Sequence, residues 1–171
     1  AWAVGTNAGM LDTGAAGNSD YYIWAIGRSD TGVVDYLSSL SSTAPTMPTS
    51  YDFKRLIGWF KRVGGTIVAF TTYETEGGGL ELLWASPTLD INLANTLTTT
   101  RRTDAVKVPL NFSVLAQLHV VISDGAVPTN YIYCPDLTDL APSTTVAPLS
   151  TITMPTAGQP LTARLTLRTS A

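Results

Sequence analysis

Residues 21–27 read YYIWAIG and residues 51–62 read YDFKRLIGWFKR, and these two apolar runs decide the fold. Aromatic and β-branched side chains at this density favour β-strands over helices. The first run ends at RSDTG in 28–32, which has the Asp and Gly of a hairpin turn, and 33–40 then continues as a second apolar run. We therefore predict a hairpin followed by a third long strand, in which Gly58 indicates a bulge or a close backbone approach.

Short apolar runs separated by turn residues continue to the end of the chain. In 111–123 and 161–168 apolar and polar residues alternate with period two, which excludes a helix and predicts half-buried strands. The residues VGGT at 63–66 predict a second hairpin turn. The further strands that we predict are 1–4, 67–73, 80–84, 111–123, 131–134, 146–154 and 161–168.

The chain of 171 residues fits one domain, which we expect to span 1–171, with 1–20 as a segment leading in from an upstream region. About nine strands at these spacings predict an all-β antiparallel fold, either a sandwich or a barrel. Charged residues make up only 13%, and the net charge is −3. A duplex nucleic-acid binder needs a basic face, so this class is disfavoured. No run approaches the roughly 20 apolar residues of a membrane helix, so we expect no membrane insertion.

Side chains that carry metal or thiol chemistry are almost absent. The chain has one His and one Cys, whereas a structural zinc site takes four such ligands. No acidic spacing matches a calcium loop. We interpret Cys134 as a small packed side chain and His119, which lies in the alternating run, as a structural residue on a sheet face. The sequence therefore predicts no metal site and no cofactor.

Catalytic constellations are also missing. A hydrolase triad would need His119 as its base. Asp52, Glu74, Glu76 and Glu81 are the acids that a glycosidase would use, but nothing in the sequence holds two of them at a fixed separation. The glycines at 77–79 are not followed by the Lys and Ser or Thr of a phosphate loop. We therefore predict no catalytic residue and a protein that is not an enzyme.

Aromatic side chains are the remaining functional signal. Alternation in strands makes about half of them face outward, where flat rings stack on the apolar faces of sugars or enter protein interfaces. A core on both faces of the sheet is the alternative. The residues that we predict to bind a ligand are Tyr51, Trp59, Tyr73, Trp84 and Tyr131. The loops expected at the tips are 44–50, 74–79 and 124–130.

Several stretches together resemble a module of tailed-bacteriophage and prophage proteins. They are GMLDTG at 9–14, YYIWAI at 21–26, RSDTGVVD at 28–35, APTMP at 44–48, YDFKRLIG at 51–58, the apolar strand at 114–121 and DLTDLAPS at 136–143. Such modules look like the C-terminal parts of tail fibres and other virion surface proteins. The resemblance implies a jelly-roll-like β-sandwich, a homotrimer and a place in the virion, and it carries over no catalytic residue.

Three functions are compatible with these features. The first is a non-enzymatic phage surface protein of the tail-fibre or receptor-binding type, whose partners are other virion proteins and a glycan or protein of the host surface. The second is a structural capsid decoration or connector protein with no host binding. The third is a glycan-degrading enzyme like a tailspike, which would require two carboxylates within about 10 Å in a groove.

Overall fold

A computed structural model describes residues 10–93, 98, 100–123, 125, 129–134, 150–153 and 156–169. Within these residues the fold is all-β, with mainly antiparallel sheets, one sheet curled like half a barrel and no helix. The prediction of an all-β antiparallel fold is therefore confirmed. The chain divides into two compact units, Ala1–Leu89 and Asp90–Ala171, which are described separately. The sandwich arrangement and the single domain over 1–171 stay predictions.

The first unit contains a five-stranded sheet and a separate two-stranded ribbon. Its strands are β1 (Met10–Leu11), β2 (Asp20–Gly27), β3 (Val34–Ser39), β4 (Phe53–Val63), β5 (Thr66–Ile67), β6 (Phe70–Glu74) and β7 (Leu80–Trp84). The sheet has the order β1-β3-β2-β4-β5, and β6 pairs with β7 in the ribbon. All pairings are antiparallel except the two-residue pairing of β1 with β3.

Both predicted hairpin turns are present. After β2, the Gly32 amide donates to the Arg28 carbonyl at 2.9 Å, and the Arg28 amide donates to the Val33 carbonyl at 2.9 Å. Between β4 and β5, Gly64 and Gly65 have φ of 59° and 82°. Two successive positive φ angles are the signature of a type I′ turn, whose twist matches that of the paired strands. Here glycine is required by the backbone, because side chains rarely adopt this conformation.

The bulge predicted near Gly58 is present. Ile23 pairs with Gly58 but the next residue, Trp24, pairs with Leu56, so Ile57 is the extra residue of β4. The extra residue changes the face on which the following side chains of β4 lie. As a result, Leu56 and Trp59 both lie on the face of the sheet that carries Trp24. Without the bulge, these two β4 side chains would point to opposite faces.

The central strand β2 carries most of the core of this unit. Tyr21 stacks on Phe60, with ring centroids 5.4 Å apart and planes 15° from parallel, and Leu11 completes the buried cluster. The Tyr21 hydroxyl accepts a hydrogen bond from the Gly17 amide at 2.8 Å. Arg62 donates to the Ala16 carbonyl at 2.7 Å, so the segment before β2 is held against the end of β4.

The strand predicted over 67–73 is interrupted in the structure. The Val68 amide donates to the Lys61 carbonyl at 2.8 Å, whereas the Ala69 carbonyl accepts from the Ala85 amide at 2.9 Å. The chain therefore leaves the pairing with β4 at Val68 and joins the pairing with β7 one residue later. The run thus forms two strands, β5 and β6, because its two halves have different partners.

The described part of the second unit contains two ribbons. Its strands are β8 (Leu115–Ile122), β9 (Thr129–Ile132), β10 (Ser150–Thr153) and β11 (Leu161–Arg168). β8 pairs with β11 and β9 with β10, all antiparallel. Ile122 and Ile152 are buried, and Val120, Ile132 and Leu165 are among the side chains packed against them. One face of each ribbon therefore contributes to a small common core.

The period-two alternation predicted for β8 and β11 is confirmed, since exposed and more buried residues alternate along both strands. The described residues hold eleven strands, so the prediction of about nine is not confirmed; two of the eleven, β1 and β5, have only two residues each. The predicted strand 1–4 lies outside the described residues, as do 146–149 and 154 of the strand predicted at 146–154.

Candidate functional site

Three aromatic rings meet where the ribbon joins the main sheet of the first unit. Trp84 ends β7 and lies edge-on to Trp59 of β4, with ring centroids 5.5 Å apart and planes at 71°. Phe70 begins β6, pairs with Trp84 in the ribbon and contacts its ring edge-on at 6.4 Å. Edge-to-face contacts at these distances add to the energy of apolar burial. We call Trp59, Phe70 and Trp84 the aromatic cluster.

The aromatic cluster is partly buried and its geometry depends on ring packing. All three side chains are half-buried, so each keeps part of its surface open. The Trp59 Nε1 atom is buried and makes no hydrogen bond with the described residues. The Trp59 indole is therefore positioned by its ring contacts and by the bulge that orients β4 there.

Two of the five predicted ligand-binding residues, Trp59 and Trp84, are thus brought together, and the other three are not. Tyr73 is 52% exposed and lies on the opposite face of the ribbon from Phe70 and Trp84, as its register with Glu81 requires. Tyr51 is only 9% exposed. Tyr131 is 43% exposed on β9 of the second unit. The binding role of all five stays a prediction.

The predicted tip loops differ in how firmly they are held. In 44–50 the Thr46 amide donates to the Asp12 carboxylate at 2.8 Å, and this carboxylate also accepts from the Ser39 hydroxyl at 2.7 Å. The turn at 74–79 is exposed and closed by the Thr75 amide, which donates to the Gly79 carbonyl at 2.9 Å. Most of 124–130 lies outside the described residues.

A charged cluster lies at the β2–β3 turn. Arg28 forms an ion pair with Asp30 at 2.7 Å, and this contact lowers the pKa of the Asp30 carboxyl. Asp52 accepts a hydrogen bond from the Ser29 hydroxyl and another from the Ser29 amide at 2.9 Å, and these bonds lower the pKa of Asp52. Both carboxyls are exposed and favour the ionised form, so they act as acceptors that hold the turn in place.

A second ionic contact lies inside the sheet. Lys61 of β4 donates to both carboxylate oxygens of Asp20, at 3.1 and 3.2 Å, and Asp20 is buried. Burial, and then the nearby Asp20 charge, raise the pKa of the Tyr22 hydroxyl. A buried carboxylate needs such a cationic partner, so this pair is explained by the structure of the sheet alone.

The carboxylates considered for glycoside cleavage are spread over different surfaces. Asp52 lies at the β2–β3 turn, Glu81 faces the side of the ribbon that carries Tyr73, and Glu74 and Glu76 are exposed at the far end of the ribbon. Across the described ranges of the chain, no group of three or more His, Cys, Asp or Glu side chains is arranged to hold a metal ion.

One polar surface was not singled out from the sequence. The exposed side of the β8–β11 ribbon carries Leu115, Gln117, His119, Val121, Thr162, Arg164, Thr166 and Arg168. The sequence signal is the alternation of Thr and Arg along 161–168, which predicts a half-buried strand but no ligand. What the sequence could not show is which strand pairs with β11, and therefore that His119 lies directly opposite Arg164.

Comparisons with protein-family profiles, with curated proteins and with solved structures find no match to this chain. Among the residues that the structure describes, no helix has the length and hydrophobicity needed to cross a membrane. The site must therefore be interpreted from its own chemistry.

Proposed function

We propose that this protein is a non-enzymatic recognition protein of a phage virion surface, of the tail-fibre or receptor-binding type. It would bind a glycan or protein of the host surface. The observation that carries the proposal is the aromatic cluster, which leaves parts of Trp59, Phe70 and Trp84 open where the ribbon meets the sheet. The arrangement that we propose for the scaffold is a jelly-roll-like β-sandwich.

Chemistry supports a sugar as one ligand of this cluster. The face of an aromatic ring covers the apolar face of a pyranose, and indole rings offer the largest such area. Tyr73, exposed on the other side of the ribbon, adds a ring that also has a hydroxyl for polar contacts. Each such contact is weak, but repetition across a homotrimer gives strong binding to a surface that repeats the same sugar.

Acid–base cleavage has less support than binding. A glycosidase acid must stay protonated near neutral pH, which requires a raised pKa. The pKa values of Asp30 and Asp52, the carboxyls adjacent at the β2–β3 turn, are instead lowered by their hydrogen-bond donors. The tailspike-like enzyme is accordingly the weakest of the three functions.

A structural capsid decoration or connector role is the second candidate, and a different observation favours it. Large apolar side chains are exposed near the end of the main sheet, with Val34 at 70%, Phe53 at 62% and Tyr36 at 53%. Val34 and Phe53 both flank Gly27 of β2, so they form one patch. Contiguous exposed apolar surface is typical of protein–protein contact sites.

Binding to immobilised bacterial surface polysaccharides and to a panel of whole bacterial cells tests the proposal. We expect Trp84→Ala to lower the retained fraction about tenfold, since stacking of one ring contributes on the order of 1 kcal/mol per site and is multiplied by avidity. Leu40→Ala is the control, because this side chain is 53% exposed just after β3 and belongs neither to the aromatic cluster nor to the apolar patch, and its binding should stay within about twofold of the wild type.

Two outcomes would count against recognition. The first is a folded wild-type protein that binds none of the polysaccharides or cells, together with antibody labelling that places it in a capsid lattice by electron microscopy; this result supports the structural role. The second is shortening of a polysaccharide during incubation, detected by size-exclusion chromatography, which supports the enzyme.

A further inference from the structure

The exposed side of the β8–β11 ribbon presents four pairs of directly opposed residues. In order, the directly opposed pairs are Val121 with Thr162, His119 with Arg164, Gln117 with Thr166 and Leu115 with Arg168. All eight of these residues are exposed. Side chains opposed across an antiparallel pair lie close enough to act on one ligand together.

Arg164 gives this surface a positive charge. The position opposite Arg164 holds His119, and neither strand contains Asp or Glu. Elsewhere in the described chain, Arg28 and Arg102 pair with carboxylates at 2.7 and 2.6 Å. Arg164 instead donates to the amide oxygen of Gln117, which orients the guanidinium without cancelling its charge.

A shallow depression of about 220 Å³ lies on this surface and is lined by His119, Val120, Val121, Thr162, Ala163 and Arg164. Pockets for drug-sized ligands are typically about 300–1,000 Å³. The depression is therefore sized for one anionic group with part of the ring that carries it. The Arg164 guanidinium, an imidazole N–H and the Thr162 hydroxyl are all suited to hydrogen-bond such a group.

We propose that the exposed face of the β8–β11 ribbon binds an acidic saccharide through its carboxylate or phosphate oxygens. Arg164 and His119 receive the anionic group. Thr166, in the next pair of opposed residues, is placed to hydrogen-bond a sugar hydroxyl. This inference deepens the proposed recognition function and rests on it.

A saccharide is favoured over a nucleic acid by the composition of the face. Nucleic-acid affinity comes from many phosphate contacts made by a strongly basic surface, and single-stranded binders add stacked aromatic rings. This face has two arginines and no aromatic residue other than His119, and the whole chain has a net charge of −3. The Thr162 and Thr166 hydroxyls on either side of Arg164 match a saccharide, whose acid group has hydroxyls beside it.

Biolayer interferometry on the full chain tests this inference with three probes at low salt. Oligogalacturonate carries carboxylates, phosphomannan carries phosphates, and dextran is a neutral saccharide. We expect one of the acidic probes to bind and to weaken as salt is raised from about 20 to 150 mM, because exposed charges are screened. Which acidic probe binds identifies the anionic group, and dextran should not bind this face.

Matched variants separate the site from general charge effects. Arg164→Gln should weaken binding of the acidic probe at least tenfold, whereas Arg55→Gln, an equal charge change at an exposed position of β4, should stay within about twofold. An unchanged affinity of Arg164→Gln, equal binding of dextran, or tighter binding of a single-stranded oligonucleotide than of either acidic saccharide would each overturn the inference.

The two sets of variants distinguish failure of the acidic-saccharide site from failure of the proposed recognition function. If Trp84→Ala abolishes binding to cells while Arg164→Gln leaves it unchanged, recognition stands and the acidic-saccharide site is wrong. If the wild-type chain binds an acidic probe through Arg164 but binds no cell or surface polysaccharide, the site stands and the recognition proposal is wrong.

Discussion

At the scale of single residues, two aspartates act as hydrogen-bond acceptors for the backbone of distant segments. Asp12 holds the 44–50 loop through Thr46, and Asp52 holds the β2–β3 turn through Ser29. In both cases one acid ties together segments more than twenty residues apart. The sequence predicts the turn at 28–32 from its own Asp and Gly, but these partners could not be predicted because they depend on tertiary contacts.

The lowered pKa of Asp52 predicts a specific pH dependence. A carboxyl whose pKa is lower folded than unfolded stabilises the fold above its unfolded pKa of about 3.9, and this stabilisation is lost as pH falls through the folded pKa. We therefore expect Asp52→Asn to be less stable than the wild type at pH 7 and to lose less stability between about pH 5 and pH 2. Urea denaturation at several pH values in this range measures how the free energy of unfolding of each protein depends on pH.

Ser29→Ala is the control for this prediction. It removes the hydroxyl bond to Asp52 and leaves the amide bond, so its pH dependence should lie between those of the wild type and Asp52→Asn. Parallel curves for all three proteins would mean that Asp52 does not contribute to acid stability.

At the scale of strands and turns, the sequence predicted those features that depend on neighbouring residues alone. The alternation in β8 and β11, the strand at 80–84 and the bulge beside Gly58 follow from side-chain period and glycine placement, and all are present. The interruption at Val68 was missed, because it arises when one apolar run changes pairing partner. Which of the predicted aromatic residues meet also depends on pairing between strands that are distant in the sequence. Trp59 contacts Trp84, whereas Tyr73 lies on the opposite face of the β6–β7 ribbon.

The β4–β5 turn gives a prediction at this scale. Gly64 has φ of 59°, a left-handed value that Asn tolerates and β-branched residues strongly disfavour. We expect Gly64→Val to lower the free energy of unfolding by about 1–2 kcal/mol. Gly64→Asn should change it by less than about 0.5 kcal/mol, because Asn-Gly is a preferred type I′ pair. Urea denaturation of the two variants measures the difference; equal losses would show that the turn is not type I′ in solution.

At the scale of the whole molecule, the described residues leave much apolar surface uncovered. The β6–β7 ribbon has no further strand on either edge within the described part of the chain, and Leu80 at its far end is 65% exposed. A two-stranded ribbon in water is marginally stable unless it packs against something else. Near Trp84 the aromatic cluster provides that packing, but among the described residues the end that carries Leu80 pairs only with its partner strand.

We therefore expect this end of the ribbon to be covered in an oligomer. The resemblance to phage surface modules implies a homotrimer, with a mass by light scattering of three times 18.1 kDa. Leu80→Asp should shift the mass toward that of the monomer, because a charge in an apolar contact costs several kcal/mol. Leu89→Asp is the matched control, since Leu89 is 77% exposed and lies outside the strands. A monomeric wild type at all concentrations would contradict the trimer, and equal dissociation by both variants would place the contact elsewhere.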